Sequence, residues 1–306
     1  MTTIFAAILF STIAQTTPAP QPATSAPAQT TEPKVAGCYA PDGSAITDPA
    51  EQLLAELETA DQGLKTLQAR VLYTRTFELQ GDDQKWQGSL AFETTPNADP
   101  AQPAERKFAV RFNQSEIGKR VQNEDKTFIF DGHWFTERNA NLKTLTRREI
   151  VKQGEAADPM RIGDSPFPLP IGQKRADILS RYNVKRISAM EGIDADSLPE
   201  SMDVAKVETF LKDATQLVLT PKPELEDTMN LDEIRLWYRQ QKTTTDDGKE
   251  VTLPRWLPRM AMTKNKEGSS IVQLVDVKLD QTLPTETFNV EAAGGEGWVV
   301  QEEKLD

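Results

Sequence analysis

The hydrophobic pattern of the chain changes period once. Leu53, Leu57, Ala60, Leu64 and Leu67 lie three and four positions apart, with Glu56, Glu58, Asp61 and Lys65 between them, the spacing of one apolar stripe on an α-helix. Asp48-Pro49-Ala50-Glu51 precedes them and combines a capping side chain, a proline at the first helical position and an acid in the first turn. The spacing predicts a helix of about 20 residues from Pro49 to near Ala69. Beyond it the period falls to two. Val71, Tyr73, Phe77 and Leu79 alternate with polar residues, as do Trp86, Leu90 and Phe92, then Phe108, Val110 and Phe112, then Phe128, Phe130 and Trp134. Each set reads as a half-buried strand.

Turn chemistry separates these strands at Gly81-Asp82, Pro96-Asn97, Asn113-Gln114, Asp131-Gly132 and Asn139-Ala140. Further strands are predicted over Val204–Leu211, Gln216–Thr220, Glu233–Gln240, Val251–Leu253, Arg259–Thr263 and Ile271–Leu279, with Asp247-Gly248 as a tight turn. Between Arg147 and Tyr182 the alternation lapses into Pro166-Phe167-Pro168-Leu169-Pro170, followed by a short amphipathic helix near Gln173–Tyr182. An antiparallel sheet with one apolar face needs that face covered, and two helices are available to do it. The expected fold is mainly β with α: a strongly curved sheet wrapped over a long N-terminal helix and a short second one. So few helical residues leave an aromatic hollow incompletely filled, which is a ligand cavity.

Residues 4–14 form an apolar stretch of 11, shorter than the roughly 20 needed to cross a bilayer. At the extreme N-terminus, with Thr12 and Ala14 as small residues near a cleavage point, it reads as a signal-peptide core. Residues 15–37 hold Pro18, Pro20, Pro22, Pro27 and Pro33 among Ala, Thr, Ser and Gln, a composition that cannot offset its own ordering entropy. The expected organisation is a signal peptide at 1–14, a flexible linker at 15–47 and a single domain at 48–306. Val35-Ala36-Gly37-Cys38 carries the letters of a lipoprotein-processing box, though a Pro-rich stretch separates it from the apolar core, so acylation of Cys38 is the lesser expectation.

Charge narrows the function. With 35 Lys+Arg against 47 Asp+Glu the net charge is −12, and an acidic chain repels phosphate backbones, so nucleic acid is not an expected partner. One Cys and one His cannot supply a Cys/His zinc site, a disulfide or a Cys–His nucleophile pair. No nucleophile elbow, phosphate-binding loop or dinucleotide fingerprint is present, and His133 lies beside a hairpin turn, so neither catalysis nor a cofactor is expected. The chain is expected to act as a monomer.

Thr127-Phe128-Ile129-Phe130-Asp131-Gly132-His133-Trp134-Phe135, followed by Leu142-Lys143-Thr144-Leu145-Thr146, resembles the Asp-Gly strand pair of LolA-type outer-membrane lipoprotein carrier proteins. Ser165-Pro166-Phe167-Pro168-Leu169 sits where that family has its lid segment, Leu217-Val218-Leu219-Thr220-Pro221-Lys222 is similar to its following strand, and Leu283–Val290 with Trp298-Val299-Val300 resembles its closing strand. The resemblance spans Asp48 to Gln301. It implies an unclosed antiparallel β-barrel with a helical lid, located in the periplasm and shielding the acyl chains of lipoproteins or another lipid. It also implies an ABC-type donor in the inner membrane and an acceptor in the outer membrane. The family latches its lid with an Arg before the proline ending its second strand. Here that pair is Thr95-Pro96, which leaves Arg75, Arg106 or Arg111 to substitute.

On the carrier reading, Tyr73, Phe77, Trp86, Leu90, Phe92, Phe108, Val110, Phe112, Phe128, Phe130 and Trp134 line the hollow. Leu53, Leu57 and Leu64, with Phe167, Leu169 and Leu179, form its plug and lid. Burial stabilises an acyl chain by about 0.8 kcal/mol per CH₂, so a chain of ~16 carbons gains on the order of 12 kcal/mol. Donor and acceptor membranes offer the same gain, so a carrier needs a shallow hollow under a movable lid. The alternative is a periplasmic sensor or scaffold of the same fold that binds a partner protein, or an acceptor anchored to the outer membrane through Cys38.

Overall fold

The structure is a computed structural model, and it describes residues 45–78, 83–97, 104–151, 171, 173–226, 228–244, 250–291 and 296–305. The segments expected as signal peptide and most of the linker, with Cys38, lie outside the described residues, as do Phe167, Leu169, Leu79 and the Gly81-Asp82 and Asp247-Gly248 turns. Ile46 is already buried, and its carbonyl accepts a hydrogen bond from Gln52 at 2.7 Å.

The first helix, α1, runs Pro49–Gln62. Its start matches the cap: Asp48 Oδ1 accepts from the Ala50 and Glu51 amides at 2.8 and 3.0 Å. It ends about two turns sooner than its apolar spacing predicts. Gly63 breaks it; Leu64 then falls in the loop, and Leu67 opens the two-residue alternation of strand β1 (Thr66–Phe77) with Ala69, Val71 and Tyr73.

Strands β2 (Asp83–Thr95), β3 (Glu105–Ile117), β4 (Arg120–Phe130), β5 (Trp134–Asn139) and β6 (Thr144–Glu149) follow. Helix α2 (Arg175–Arg181), strand β7 (Tyr182–Ser188), helix α3 (Val204–Phe210) and strands β8 (Ala214–Pro221), β9 (Glu233–Thr244), β10 (Glu250–Asn265), β11 (Gly268–Leu279) and β12 (Val299–Glu303) complete the chain, with a 3-10 turn at Pro223–Leu225. Among the described residues these twelve strands form one unclosed sheet in the order β12-β6-β5-β4-β3-β2-β1-β11-β10-β9-β8-β7. Every pairing is antiparallel except β12 on β6. The fold is thus mostly β with few helices, as the alternation implied.

Two expectations are corrected. Val204–Leu211, expected as a strand, is helical: Asp203 caps it by accepting from the Lys206 amide at 2.9 Å, and Val204, Val207 and Leu211 fall on one side at three- and four-residue spacing. Asn113-Gln114, expected as a turn, lies inside β3, where the register shifts against both neighbours. The turn comes later, at Gly118 (φ 59°) and Lys119.

Three apolar clusters organise the core. Two share what we call the inner face. One holds the aromatic side chains of β1–β5 with Val272 and Leu274 of β11. The other holds Leu53, Leu54 and Leu57 of α1 and Ile178 of α2 against Leu217, Leu219, Ile234, Leu236 and Ala261. Trp256 fastens α1 to β10 by donating to Glu56 at 2.8 Å. On the outer face, Ile193, Leu198, Val207 and Leu211 cover Trp237, Met260 and Met262, and Trp237 donates to the Ala189 carbonyl at 2.7 Å.

Candidate functional site: an aromatic inner face

Paired residues of an antiparallel ladder point to the same side, so the register builds the site. Tyr73 pairs with Trp86, Ala69 with Leu90 and Leu67 with Phe92. Leu90 pairs with Val110, and Phe92 with Phe108. Val110 pairs with Phe128 and Phe108 with Phe130. The result is an unbroken inward row across four strands. Tyr73 stacks on Trp86 and Phe112 with ring centres 5.4 and 6.1 Å apart, Phe112 meets Phe128 edge-on at 6.3 Å, and Phe108 stacks on Phe130 at 6.1 Å. These are the offset and edge-to-face geometries that aromatic quadrupoles favour.

Phe135 belongs to this row and Trp134 does not. Extending the alternation of Phe128 and Phe130 through the turn selects Trp134, but Gly132 (φ 104°) and His133 take the chain round a hairpin that pairs Phe130 with Phe135. Phe135 therefore packs 6.1 Å from Phe108 and 6.2 Å from Phe128, while Trp134 faces outward under the Arg147 guanidinium at 4.3 Å. The signal in the sequence was Asp131-Gly132 itself. Asp131 Oδ1 accepts from the His133 and Trp134 amides, and such a turn resets which parity faces inward. His133 lies 3.2 Å from Glu149, away from the ring row.

The proposed plug residues divide between two places. Leu64 joins the aromatic cluster, whereas Leu53, Leu57 and Leu179 pack over β7–β10. Over the rings themselves lie Val151 and Ile171, both buried, at the two ends of the stretch that contains Phe167 and Leu169. The candidate latches also separate. Arg111 is outward, donating to the carbonyls of Thr287 and Asn289 at 3.0 and 3.2 Å; it binds the C-terminal segment across the outer face. Arg106 is half-buried and, next to Lys107, on a different part of β3 from Arg111. Arg75 points inward, its guanidinium 4.4 Å from the centre of the Phe77 ring and 3.8 Å from Glu267.

Burial grades along the row. Phe92, Phe108 and Phe130 are at most 1% exposed, whereas Tyr73, Arg75, Phe77, Gln84 and Trp86 are only half-buried. That second end is also polar. Ser270 pairs with Arg75, and its hydroxyl lies 2.7 Å from that of Thr263 on the adjacent strand. Burial pushes the Tyr73 phenol above its ordinary pKa, against the opposing effects of Arg75 and of a hydrogen bond with Ser270. Across Trp86, Ser115 accepts from Gln122 at 3.2 Å.

The outer face carries a groove of about 880 Å³ between Lys107, Thr136, Leu145 and Arg147 of the sheet and Leu283, Phe288 and Val290 of the C-terminal segment. Among the described residues, no group of three His, Cys, Asp or Glu side chains is placed to hold a metal ion, and no helix is long and apolar enough to cross a membrane.

No protein-family model matches the chain, and no curated protein does. Solved structures do. The chain is similar to an uncharacterized conserved protein from Thermus thermophilus, at 12% identity and a TM-score of 0.38 over 83% of this chain and 99% of that one. It is similar to LprF from Mycobacterium bovis, at 10% identity and 0.29 over 82% and 100%. A LolA superfamily protein from Nitrosomonas europaea is similar at 12% identity and 0.33 over 79% and 97%.

Proposed function

We propose that the protein is a periplasmic carrier that shields acyl chains, of lipoproteins or of another lipid, on the aromatic inner face of its sheet. The observation that supports this reading is the inward row itself: Tyr73, Trp86, Leu90, Phe92, Phe108, Val110, Phe112, Phe128, Phe130 and Phe135 share one face, and the helix α1 that would fill it packs on β7–β10 instead. Among the described residues, those packed with the rings from outside the sheet are Leu64, Val151 and Ile171, all apolar. Apolar contacts of this kind exchange for an acyl chain at little net cost, because both bury the same rings. Phe77 belongs to the same strand face at its half-buried end, and Arg75 beside it is the candidate that would fasten a closed cover. Loading from an ABC-type donor and delivery to an outer-membrane acceptor complete the carrier reading.

Uptake of a fluorescent acyl probe, with native mass spectrometry of protein purified from the periplasm without detergent, tests it. A stoichiometric acylated species, or saturable uptake competed by long-chain lipids, is expected. A bare polypeptide that takes up no probe would remove the reading.

One observation favours the second reading, a sensor or scaffold that binds a partner protein: the centre of the inner face is closed, with Phe108 fully buried, while the open groove of about 880 Å³ is on the outer face. On that reading, substitutions along Lys107 and Arg147 would abolish partner binding and leave acyl probes without effect.

A further inference from the structure

Arg75 occupies an inward position of β1 between Tyr73 and Phe77, in the stretch of the ring row where burial is incomplete. An inward cation on an apolar face costs desolvation unless it meets an anion. Its described partner is a poor one: Glu267, on the turn between β10 and β11, lies 3.8 Å away, beyond hydrogen-bond range, and the two side chains are 42% and 64% exposed. Ser270 is the cross-strand partner of Arg75, and its hydroxyl is linked to those of Thr263, 2.7 Å away, and of Tyr73.

We propose that Arg75, with Ser270, Thr263 and Tyr73, receives the anionic headgroup, carboxylate or phosphate, of a long-chain amphiphile whose chain runs inward past Trp86 and Phe112. The proposal rests on the carrier reading and names its cargo class. A planar guanidinium matches both anions bidentately, hydroxyls complete the donor set, and Glu267 holds the place that the headgroup takes. The direction of the chain follows from a headgroup held at Arg75, since behind it the row closes from half-buried Tyr73 and Trp86 to fully buried Leu90 and Phe92. From Arg75 to Leu67 the strand advances eight residues, on the order of 26 Å, longer than one leaflet of a bilayer whose hydrocarbon core is about 30 Å thick. A protein-linked acyl group offers no anion at its polar end, so this cargo differs from a lipoprotein's chains in a way that binding reads directly.

The test is calorimetric titration of the full chain with palmitate, hexadecyl phosphate and hexadecanol, in the wild type, Arg75→Gln and Glu267→Gln. The wild type is expected to bind one or both anions at least about tenfold tighter than the alcohol. Arg75→Gln is expected to erase that preference, so that both anions bind no tighter than hexadecanol does to the same variant, and Glu267→Gln to strengthen anion binding several-fold. Palmitate against hexadecyl phosphate then separates the two headgroups. Equal binding of all three by the wild type, or a preference that survives Arg75→Gln, overturns the headgroup site while carriage stands. Failure of the wild type to bind any of the three overturns the headgroup site, and carriage falls with it only if the fluorescent acyl probe is refused as well.

Discussion

The Arg138 guanidinium on β5 reaches Glu291 at 3.2 Å with one nitrogen while its other terminal nitrogen lies 3.1 Å from both carboxylate oxygens of Asp125. The side chain is only 11% exposed, and its carbon centre sits 5.1 Å from the Trp298 ring. A nearly buried cation thus ties β4, β5 and the C-terminal segment together on the outer face. Arg138→Met keeps the bulk and removes the tie. Because both carboxylates are mostly exposed and rehydrate readily, the expected loss is about 1–2 kcal/mol. Hydrogen exchange should quicken at residues 287–291 and stay unchanged at β2–β3. Unaltered exchange at 287–291 would show that Arg111 alone holds the segment.

Phe135 and Trp134 give opposite predictions from adjacent positions. Phe135→Ala empties a ring site packed between Phe108 and Phe128 and should cost about 3 kcal/mol and weaken acyl-probe uptake. Trp134→Ala removes an outward ring and should cost roughly 1 kcal/mol with uptake intact. Chemical denaturation and probe titration read both; equal effects at the two sites would contradict the register.

Gly88 sits in the inward row opposite Val71, where the β2–β3 register shifts. A Cβ there would lie 1.9 Å from the Arg111 carbonyl oxygen and 2.8 Å from the Phe112 Cα, so backbone has to move. Gly88→Ala is expected to destabilise by about 2–3 kcal/mol and to loosen the Trp86–Phe112 contact. The fluorescence of the five tryptophans and the thermal midpoint would report it, and an unchanged midpoint would refute the close approach.

Acid stability should depend on Asp280. Burial raises its carboxyl, but hydrogen bonds from the Lys65 amide, the Arg255 guanidinium and the Thr66 amide together outweigh that and hold it below the ordinary carboxylate range. A carboxyl depressed in the folded state contributes stability above its unfolded pKa of about 3.9, and that contribution is lost as pH falls through the folded value. Asp280→Asn should therefore flatten the stability profile below about pH 4 and leave its slope at neutral pH unchanged. A parallel shift of the whole profile would point to packing rather than charge.

Local rules carried the reading of the strands. The two-residue alternation of large apolar residues in β1, β2, β3 and β4 survives in the structure because one face of each carries the core rings, although Ala109 and Ile129 are buried on the other face as well, and the Asp48-Pro49 start of α1 survives because capping is settled within four residues. Where two periods fit the same residues, sequence was ambiguous. Leu67 fits the helical stripe of Leu57, Ala60 and Leu64 and the strand alternation of Ala69 and Val71 alike, and Val204, Val207 and Thr209 are β-branched residues that a single side-chain cap at Asp203 turns into a helix once Trp237 and Met260 offer α3 a surface.

The sequence by itself determined that this is a mainly β chain with aromatic rings gathered on one face, an acidic surface and no ordinary constellation for catalysis. Those properties follow from residue type and spacing over a few positions. Tertiary structure decided which rings share that face, that α1 lies over β7–β10 and not over them, and that Arg111 faces away from Arg75. The first of these turns on register: the Gly132 hairpin exchanges Trp134 for Phe135, and the irregularity around Asn113 separates the ends of β3. Side-chain direction in a sheet has a period of two, so one residue gained or lost at a turn or bulge reverses everything after it. Pairing partners that lie far along the chain, such as Ser270 for Arg75, then set what each inward position meets.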